Sequence, residues 1–270
     1  MPIRRHRRSL VLLAAATAVG AALSLQGPLN AGAAQSSATT PYTGPTGAAR
    51  VYLWGPAHWH DEYEQGMVPQ YAINRRPSVE NRYGMLTLKG RPDGRMVRVT
   101  LQRQSYRYGR WEIRVRVRPF NNRPLPFHMV AELVPTAGPY RCGARNITLA
   151  DYSQGDRRAS MRINTLPNRT FTFSKRPVVS PGGWNTYAVE ITRSHISWFV
   201  DDRVVMTERR PVALSGAAYT LRYRFVTPAQ SALTQPWMQM DWSRYFTLKR
   251  PNALPISAPR ATAGTNRRAC

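Results

Sequence analysis

Trp111-Glu-Ile-Arg-Val-Arg-Val-Arg118 alternates apolar and charged residues over eight consecutive positions. Successive side chains of a strand point to opposite faces, so Trp111, Ile113, Val115 and Val117 share one face and the charged residues the other. That period of two predicts a half-buried β-strand. Working outward, similar runs occur on both sides. Residues 85–88 and 96–101 read as short strands separated by the turn sequence Arg91-Pro-Asp-Gly94. Residues 127–134 and 144–151 are more apolar and are expected at the centre of a sheet. Further strands are predicted at 160–164, 170–173, 185–192, 195–201, 203–208, 219–226 and 238–248, with Asp201-Asp202 in a tight turn. About twelve short strands without a convincing amphipathic helix predict an all-β protein, a sandwich of two antiparallel sheets.

The 270 residues suffice for one large domain with a good core. Residues 50–249 contain no linker long enough to divide them and no internal repeat. Residues 35–49 are rich in Ser, Thr, Ala, Pro and Gly and read as a flexible lead-in; residues 250–270 read as a flexible C-terminal tail. Ahead of both, residues 1–34 read as an export signal. Arg4, Arg5, Arg7 and Arg8 precede an uncharged apolar run from 10 to 25, and Ala31-Gly32-Ala33 offers a cleavage site. Arg7-Arg8-Ser9-Leu10-Val11 also fits a twin-arginine pattern. The run is too short and alanine-rich for an integral membrane span. The mature protein is therefore expected outside the cytoplasm.

Net charge is +25, from 39 basic and 14 acidic residues, and removal of the signal's four arginines leaves +21. All but Lys89, Lys175 and Lys249 of the basic residues are arginine. This balance favours attraction to polyanions without naming one. Nucleic acid is not the expected partner, because no nucleic-acid module is present and export argues against it. Two cysteines, Cys142 and Cys270, are too few for a disulfide scaffold. They leave open a single bridge or a buried Cys142 with a loose terminal thiol. No His/Cys cluster has metal spacing, and neither metal nor cofactor is expected.

The chemistry-bearing stretch is Cys142-Gly-Ala-Arg-Asn-Ile-Thr-Leu-Ala-Asp-Tyr152. Asn146 and Thr148 share a face of a strand, and Asp151, five residues beyond Asn146, points the other way unless one extra residue intervenes. A β-bulge would return Asp151 to that face and leave Ile147, Leu149 and Ala150 to the core. Three polar side chains on one sheet face fit the floor of a glycan cleft. On these residues alone, an ordinary half-buried strand with solvent-facing polar side chains is the simpler reading.

Three further segments carry a resemblance. Tyr108-Gly-Arg-Trp-Glu-Ile-Arg-Val-Arg116 resembles the "YGRFEARIK" segment of glycoside hydrolase family 16. Trp184-Asn-Thr-Tyr-Ala-Val-Glu190 with Ile196-Ser-Trp-Phe-Val-Asp201 resembles that family's "WHTYAVEW…ISFYVDG" pair of strands. Met240-Asp-Trp-Ser-Arg-Tyr245 is similar to its closing "MDWVRVY". Order and separation agree over residues 50–249. The resemblance implies a concanavalin A-like β-jelly roll and a central strand bearing E-x-D-x-x-E, whose first Glu is nucleophile, Asp assists, and second Glu is acid/base for retaining cleavage of β-glycans. Carried over, Asn146 takes the nucleophile position, Thr148 the assisting position and Asp151 the acid/base position. None is the family residue. An uncharged amide cannot form the glycosyl ester, and Asp is one methylene shorter than Glu.

Another carboxylate could replace the nucleophile. Glu132 shares a strand face with His128 and Val130, and could pair with Asp151 in an acid dyad or be neutralised by an arginine. Asp61, Glu62 and Glu64, beside His58, Trp59 and His60, form a loop that could reach a cleft rim. Trp54, Trp59, Tyr140 and Trp237 are expected in sugar-stacking loops and His128 on the cleft face, whereas Trp111, Trp184, Trp198 and Trp242 belong to the framework. The expected protein is a secreted monomer that binds a polysaccharide or oligosaccharide, such as a β-glycan or cell-envelope polymer, with lost or impaired hydrolysis. The alternative is an endo-β-glycan hydrolase with a rearranged acid pair. The export reading predicts a secreted protein starting near Ala34 or Gln35 by mass spectrometry; a start at Met1 would refute it. Two reactive thiols in that denatured sample would exclude the Cys142–Cys270 bridge.

Overall fold

A computed structural model describes residues 47–66, 70–118, 125–137, 145–166, 168–175, 182–229, 236–249 and 258–265. In chain order the elements are a one-turn helix α1 (Ala48–Val51), then β1 (Trp59–Asp61), β2 (Tyr71–Ile73), β3 (Val79–Arg82), β4 (Met85–Lys89), β5 (Val97–Leu101) and β6 (Gly109–Arg118). They continue with β7 (His128–Pro135), β8 (Ile147–Ser153), β9 (Ala159–Thr165), β10 (Arg169–Lys175), β11 (Asn185–Ile191), β12 (Ile196–Val200) and β13 (Arg203–Glu208). The last are β14 (Tyr219–Val226), β15 (Trp237–Phe246) and β16 (Thr262–Thr265). All twelve expected strands form. β1, β2, β3 and β16 have no clear period in sequence, because strands of three or four residues are too short to show one.

The strands make two antiparallel sheets. One has the order β13-β12-β11-β6-β15-β4-β3, with β1 also on β15; the other has the order β16-β10-β9-β8-β7-β14-β5-β2. Alternation then sorts the side chains. Trp111, Ile113, Val115 and Val117 of β6 meet Met129, Ala131 and Leu133 of β7 and Leu221, Tyr223 and Phe225 of β14 in one shared core. This is the antiparallel sandwich of the jelly-roll type.

Two stretches expected to be loose contribute to the fold. Ala48, Tyr52 and Trp54 form a second buried cluster with Ala188, Phe199 and Phe246, on the outer side of the β6 sheet. Thr262–Thr265, in the expected tail, extends the β8 sheet by pairing with β10. Cys142 and Cys270 lie outside the described residues. No helix among the described residues is long and apolar enough to cross a membrane.

The resemblance segments hold each other in place. Arg110 Nε donates to Glu190 Oε2 at 2.6 Å with both side chains buried. Tyr245 Oη donates to the Tyr108 carbonyl at 2.6 Å, and its ring lies 5.0 Å from that of Trp111. Gly109 permits this approach, since a Cβ there would lie 2.4 Å from Tyr245. Gly47 acts similarly at the N-terminus of α1. A Cβ on it would meet Glu112 Oε1 at 2.7 Å, and that oxygen accepts the Ala49 backbone N–H at 3.0 Å.

Burial pushes the Glu112 carboxyl up to about 7 against the stabilising backbone N–H groups. The folded protein thus holds a proton that the unfolded chain releases near 4.5, so stability falls as pH rises through that window. Glu112→Gln keeps an acceptor for Ala49 without the charge. Denaturant unfolding should show this variant near wild type at about pH 5 and more stable at about pH 8, by on the order of 2 kcal/mol.

Candidate functional site

The bulge expected in the central strand is present. Against β7, Ala131 pairs with Ala150 and Glu132 with Thr148, so β8 carries one residue more than its neighbour. Against β9 the register shifts between Thr148 and Asp151. Ile147, Leu149 and Ala150 are buried in the shared core. Asp151 consequently returns to the Thr148 face, turned away from the core. Trp198 of the opposite sheet donates its indole N–H to the Thr148 carbonyl at 2.9 Å, fixing the strand at the irregularity.

Neighbouring strands present their outward residues beside this row. From β7 come His128 and Glu132, from β14 Arg222 and Arg224, from β9 Arg162, and from β5 Arg98 opposite Arg224. Glu132 is buried and held through both oxygens. Its Oε1 accepts Arg222 Nε at 2.9 Å and Arg224 Nε at 2.6 Å, and its Oε2 accepts Asn146 Nδ2 at 3.0 Å. Asn146 thus donates to a carboxylate, which a Glu at that position could not do in ionised form.

Asp151 is also held. Its Oδ1 accepts from His128 Nε2 at 2.8 Å and its Oδ2 from Arg162 Nη2. Burial raises the carboxyl's pKa, but the hydrogen bond from His128 and the positive charge of Arg162 outweigh it. The net result lies below the ordinary 3.8. Asp151 is therefore a carboxylate at neutral pH.

The other expected site residues lie elsewhere. Trp54 is no cleft-lining residue; it is buried in the outer cluster against Phe199 and Phe246. Trp59 belongs to β1 of the β6 sheet and packs towards Trp111 at 6.2 Å. Trp237 sits on β15, again in the β6 sheet, beneath Arg82 at 4.1 Å. Neither tryptophan is on the sheet that carries Asp151. Tyr140 lies outside the described residues. Of the loop acids, Asp61 is buried in β1, and Glu62 takes a two-pronged contact from Arg244 at 2.9 and 2.8 Å. Among the described residues, His128 alone of the proposed sugar contacts joins Asp151.

Arg98, Arg162, Arg222 and Arg224 were not singled out by sequence reading. Each alternates with apolar residues in a predicted strand, which marks it as outward-facing. Only the strand order places them around β8.

The sequence matches no family model and no curated protein. Solved structures nevertheless share the architecture. The laminarinase from Rhodothermus marinus is 16% identical, with a TM-score of 0.60 over 71% of this chain and 96% of its own. A non-specific endo-β-1,3(4)-glucanase from glycoside hydrolase family 16 is 14% identical, with a TM-score of 0.60 over 72% and 91%. The catalytic domain of an endo-1,3-β-glucanase from Thermotoga petrophila is 13% identical, with a TM-score of 0.59 over 72% and 98%. The chain has the concanavalin A-like jelly-roll fold of the family 16 glucanases. At these identities the likeness is one of fold.

The ionised state of Asp151 has a measurable signature. Its folded pKa is depressed, so its contribution to stability is present above about 3.8 and is lost as pH falls through the folded value. Carboxyl NMR should give a midpoint below 3.8, and Arg162→Gln should move it upward. A midpoint above 4.5 in the unmodified protein would contradict the geometry.

Proposed function

We propose that this is a secreted glycan-binding protein that uses the Asp151 face of the β8 sheet and does not hydrolyse its ligand. The observation that carries this reading is the state of the carboxyl groups. Retaining cleavage needs a carboxylate nucleophile and a protonated acid about 5–5.5 Å apart. The nucleophile position is Asn146, which is occupied in donating to Glu132. The acid/base position is Asp151, kept ionised by His128 and Arg162 and so without a proton for a leaving group. Glu132 stands on the adjacent strand, but two guanidinium groups and an amide hold it as a carboxylate partner. That argues against the rearranged acid pair. The fold shared with laminarinases supports a glycan as ligand, and the basic, apolar N-terminal sequence supports export.

The protein should bind at least one member of a panel comprising laminarin, a mixed-linkage β-1,3-1,4-glucan and C6-oxidised laminarin. It should release no reducing ends from any of them. Restoring Asn146→Glu, Thr148→Asp and Asp151→Glu together would set a carboxylate beside Glu132. Hydrolysis should therefore emerge only when Glu132→Gln and Arg162→Gln are both added, the second loosening the hold that keeps the acid position ionised. Hydrolysis by the unmodified protein that disappears in both Asp151→Asn and Glu132→Gln would instead establish a relocated acid pair. Product inversion would then point to a water as nucleophile, since that route uses a carboxyl separation of about 6.5–9.5 Å.

A further inference from the structure

The charges on the Asp151 face are layered. The carboxylates lie deep, with side chains of Glu132 and Asp151 3% and 12% exposed. The arginine side chains around them are more open: 22% for Arg222, 30% for Arg224 and 29% for Arg162. His128 is 43% exposed at the same surface. A molecule approaching this sheet meets cations before it meets an acid.

The count has the same sign. Arg98, Arg162, Arg222 and Arg224 share the face with Glu132 and Asp151, a surplus of two positive charges without counting His128. Each guanidinium has five N–H donors in a planar fork suited to carboxylates and oxyanions. Among the described residues, Arg224 engages Glu132 through Nε, Arg222 through Nε and Nη2, and Arg162 engages Asp151 through Nη2. All three side chains remain partly exposed at the sheet surface. Arg98 is exposed, makes no ion pair among the described residues, and is the direct cross-strand partner of Arg224. Like charges directly opposite each other on one face oppose pairing. An anion between them relieves that repulsion.

These residues come from β5, β14, β7, β8 and β9, which are consecutive in the sheet. At about 4.8 Å per strand the stripe runs roughly 19 Å across the strands, the dimension of an extended oligosaccharide rather than of a single ion. Outward Thr100, Ser160 and Asn164 on the same strands offer neutral partners for hydroxyl groups. Of the three tryptophans expected to stack on neutral sugar faces, Trp59 and Trp237 lie in the other sheet and Trp54 is buried in its outer cluster. Among the described residues, charge is therefore the main recognition element on this face.

We propose that the Asp151 face binds an acidic glycan, a chain bearing carboxylate or ester sulfate groups, with Arg98, Arg162, Arg222 and Arg224 as the contacts that select it. The proposal rests on the glycan-binding reading above and goes further by naming the ligand's charge.

The test compares ligands with one backbone. A laminarin oligosaccharide, its C6-oxidised form and its sulfated form are titrated calorimetrically into the full-length secreted protein at about 0.05 M and 0.5 M NaCl, bracketing Debye lengths of roughly 14 and 4 Å. An acidic form should bind at least about tenfold more tightly than the neutral one at low salt, because charge-assisted hydrogen bonds are roughly twice as strong as neutral ones. The preference should shrink at high salt. Tighter binding of the oxidised form assigns carboxylates, and of the sulfated form, sulfate esters. Arg98→Gln removes an exposed side chain without unpairing a buried acid, so it should reduce the preference several-fold with melting unchanged. Arg162→Gln should act in the same direction. Arg203→Gln, at the exposed β12–β13 turn, is the control for general attraction to a basic protein and should leave the preference intact. Equal affinity for neutral and acidic forms overturns the acidic-ligand proposal while leaving glycan binding standing. A preference that survives both Arg98→Gln and Arg162→Gln also overturns it, by locating the charge effect elsewhere. Failure of all three ligands to bind overturns the glycan-binding reading itself.

Discussion

The hydrogen bond from the Trp198 indole to the Thr148 carbonyl crosses the whole core, from β12 in one sheet to β8 in the other. It falls where β8 accommodates one residue more than β7 and β9. A bulge locally breaks the ladder and leaves backbone groups needing other partners. The buried indole, whose own N–H needs an acceptor, answers one of those needs. Without the bulge, Asp151 would point between the sheets into a layer of Met, Leu and Tyr side chains. A carboxylate buried there without a partner is prohibitively costly. The bulge, and the tryptophan that secures it, therefore put every polar residue of the central strand on one outward face.

The substitutions on that face work as a set. Asn146 is suited to its position because Glu132 lies 3.0 Å from its amide nitrogen. Glu132 is tolerable in a largely apolar strand because Arg222 and Arg224 of β14 converge on one of its oxygens. Asp151 is matched to Arg162 and His128 in the same way. A buried carboxylate and its guanidinium partners stand or fall together, since removing one leaves an uncompensated charge. Glu132, Asp151 and their partners are thus matched to one another across four strands.

The opposite sheet shows how the same elements serve stability. Its outward residues carry charge as well, but α1 folds over Arg110 and Glu112, and Arg110 is paired with Glu190 beneath it. Ala48, Tyr52 and Trp54 make that covering layer apolar. Two sheets with the same alternation of apolar and charged residues therefore have unlike outer surfaces among the described residues, one covered by α1 at this end and the other lined by partly exposed arginines around Asp151.

Much of the fold was legible because its signals are local. The alternation in 111–118 marks an inward and an outward face whatever the partner strand is, and twelve strands followed from such patterns. The segments resembling family 16 are the ones that lock β6, β11, β12 and β15 together, as Arg110–Glu190 and Tyr245–Tyr108 show. The bulge was legible too, because only one extra residue sets Asp151 beside Thr148 while burying Leu149 and Ala150. The outward placement of the arginines could be read from sequence, but not their shared destination. Arg98, Arg162, Arg222 and Arg224 lie on three strands far apart in the chain, and nothing local says that β14 pairs with both β5 and β7. Trp54, Trp59 and Trp237 were misplaced for the same reason, since a tryptophan beside prolines and glycines reads as a loop residue until a sheet or a helix closes over it. Strand faces follow from neighbours two residues apart, which the sequence contains. The company those faces keep follows from the order in which strands pair, and only the tertiary structure decides that order.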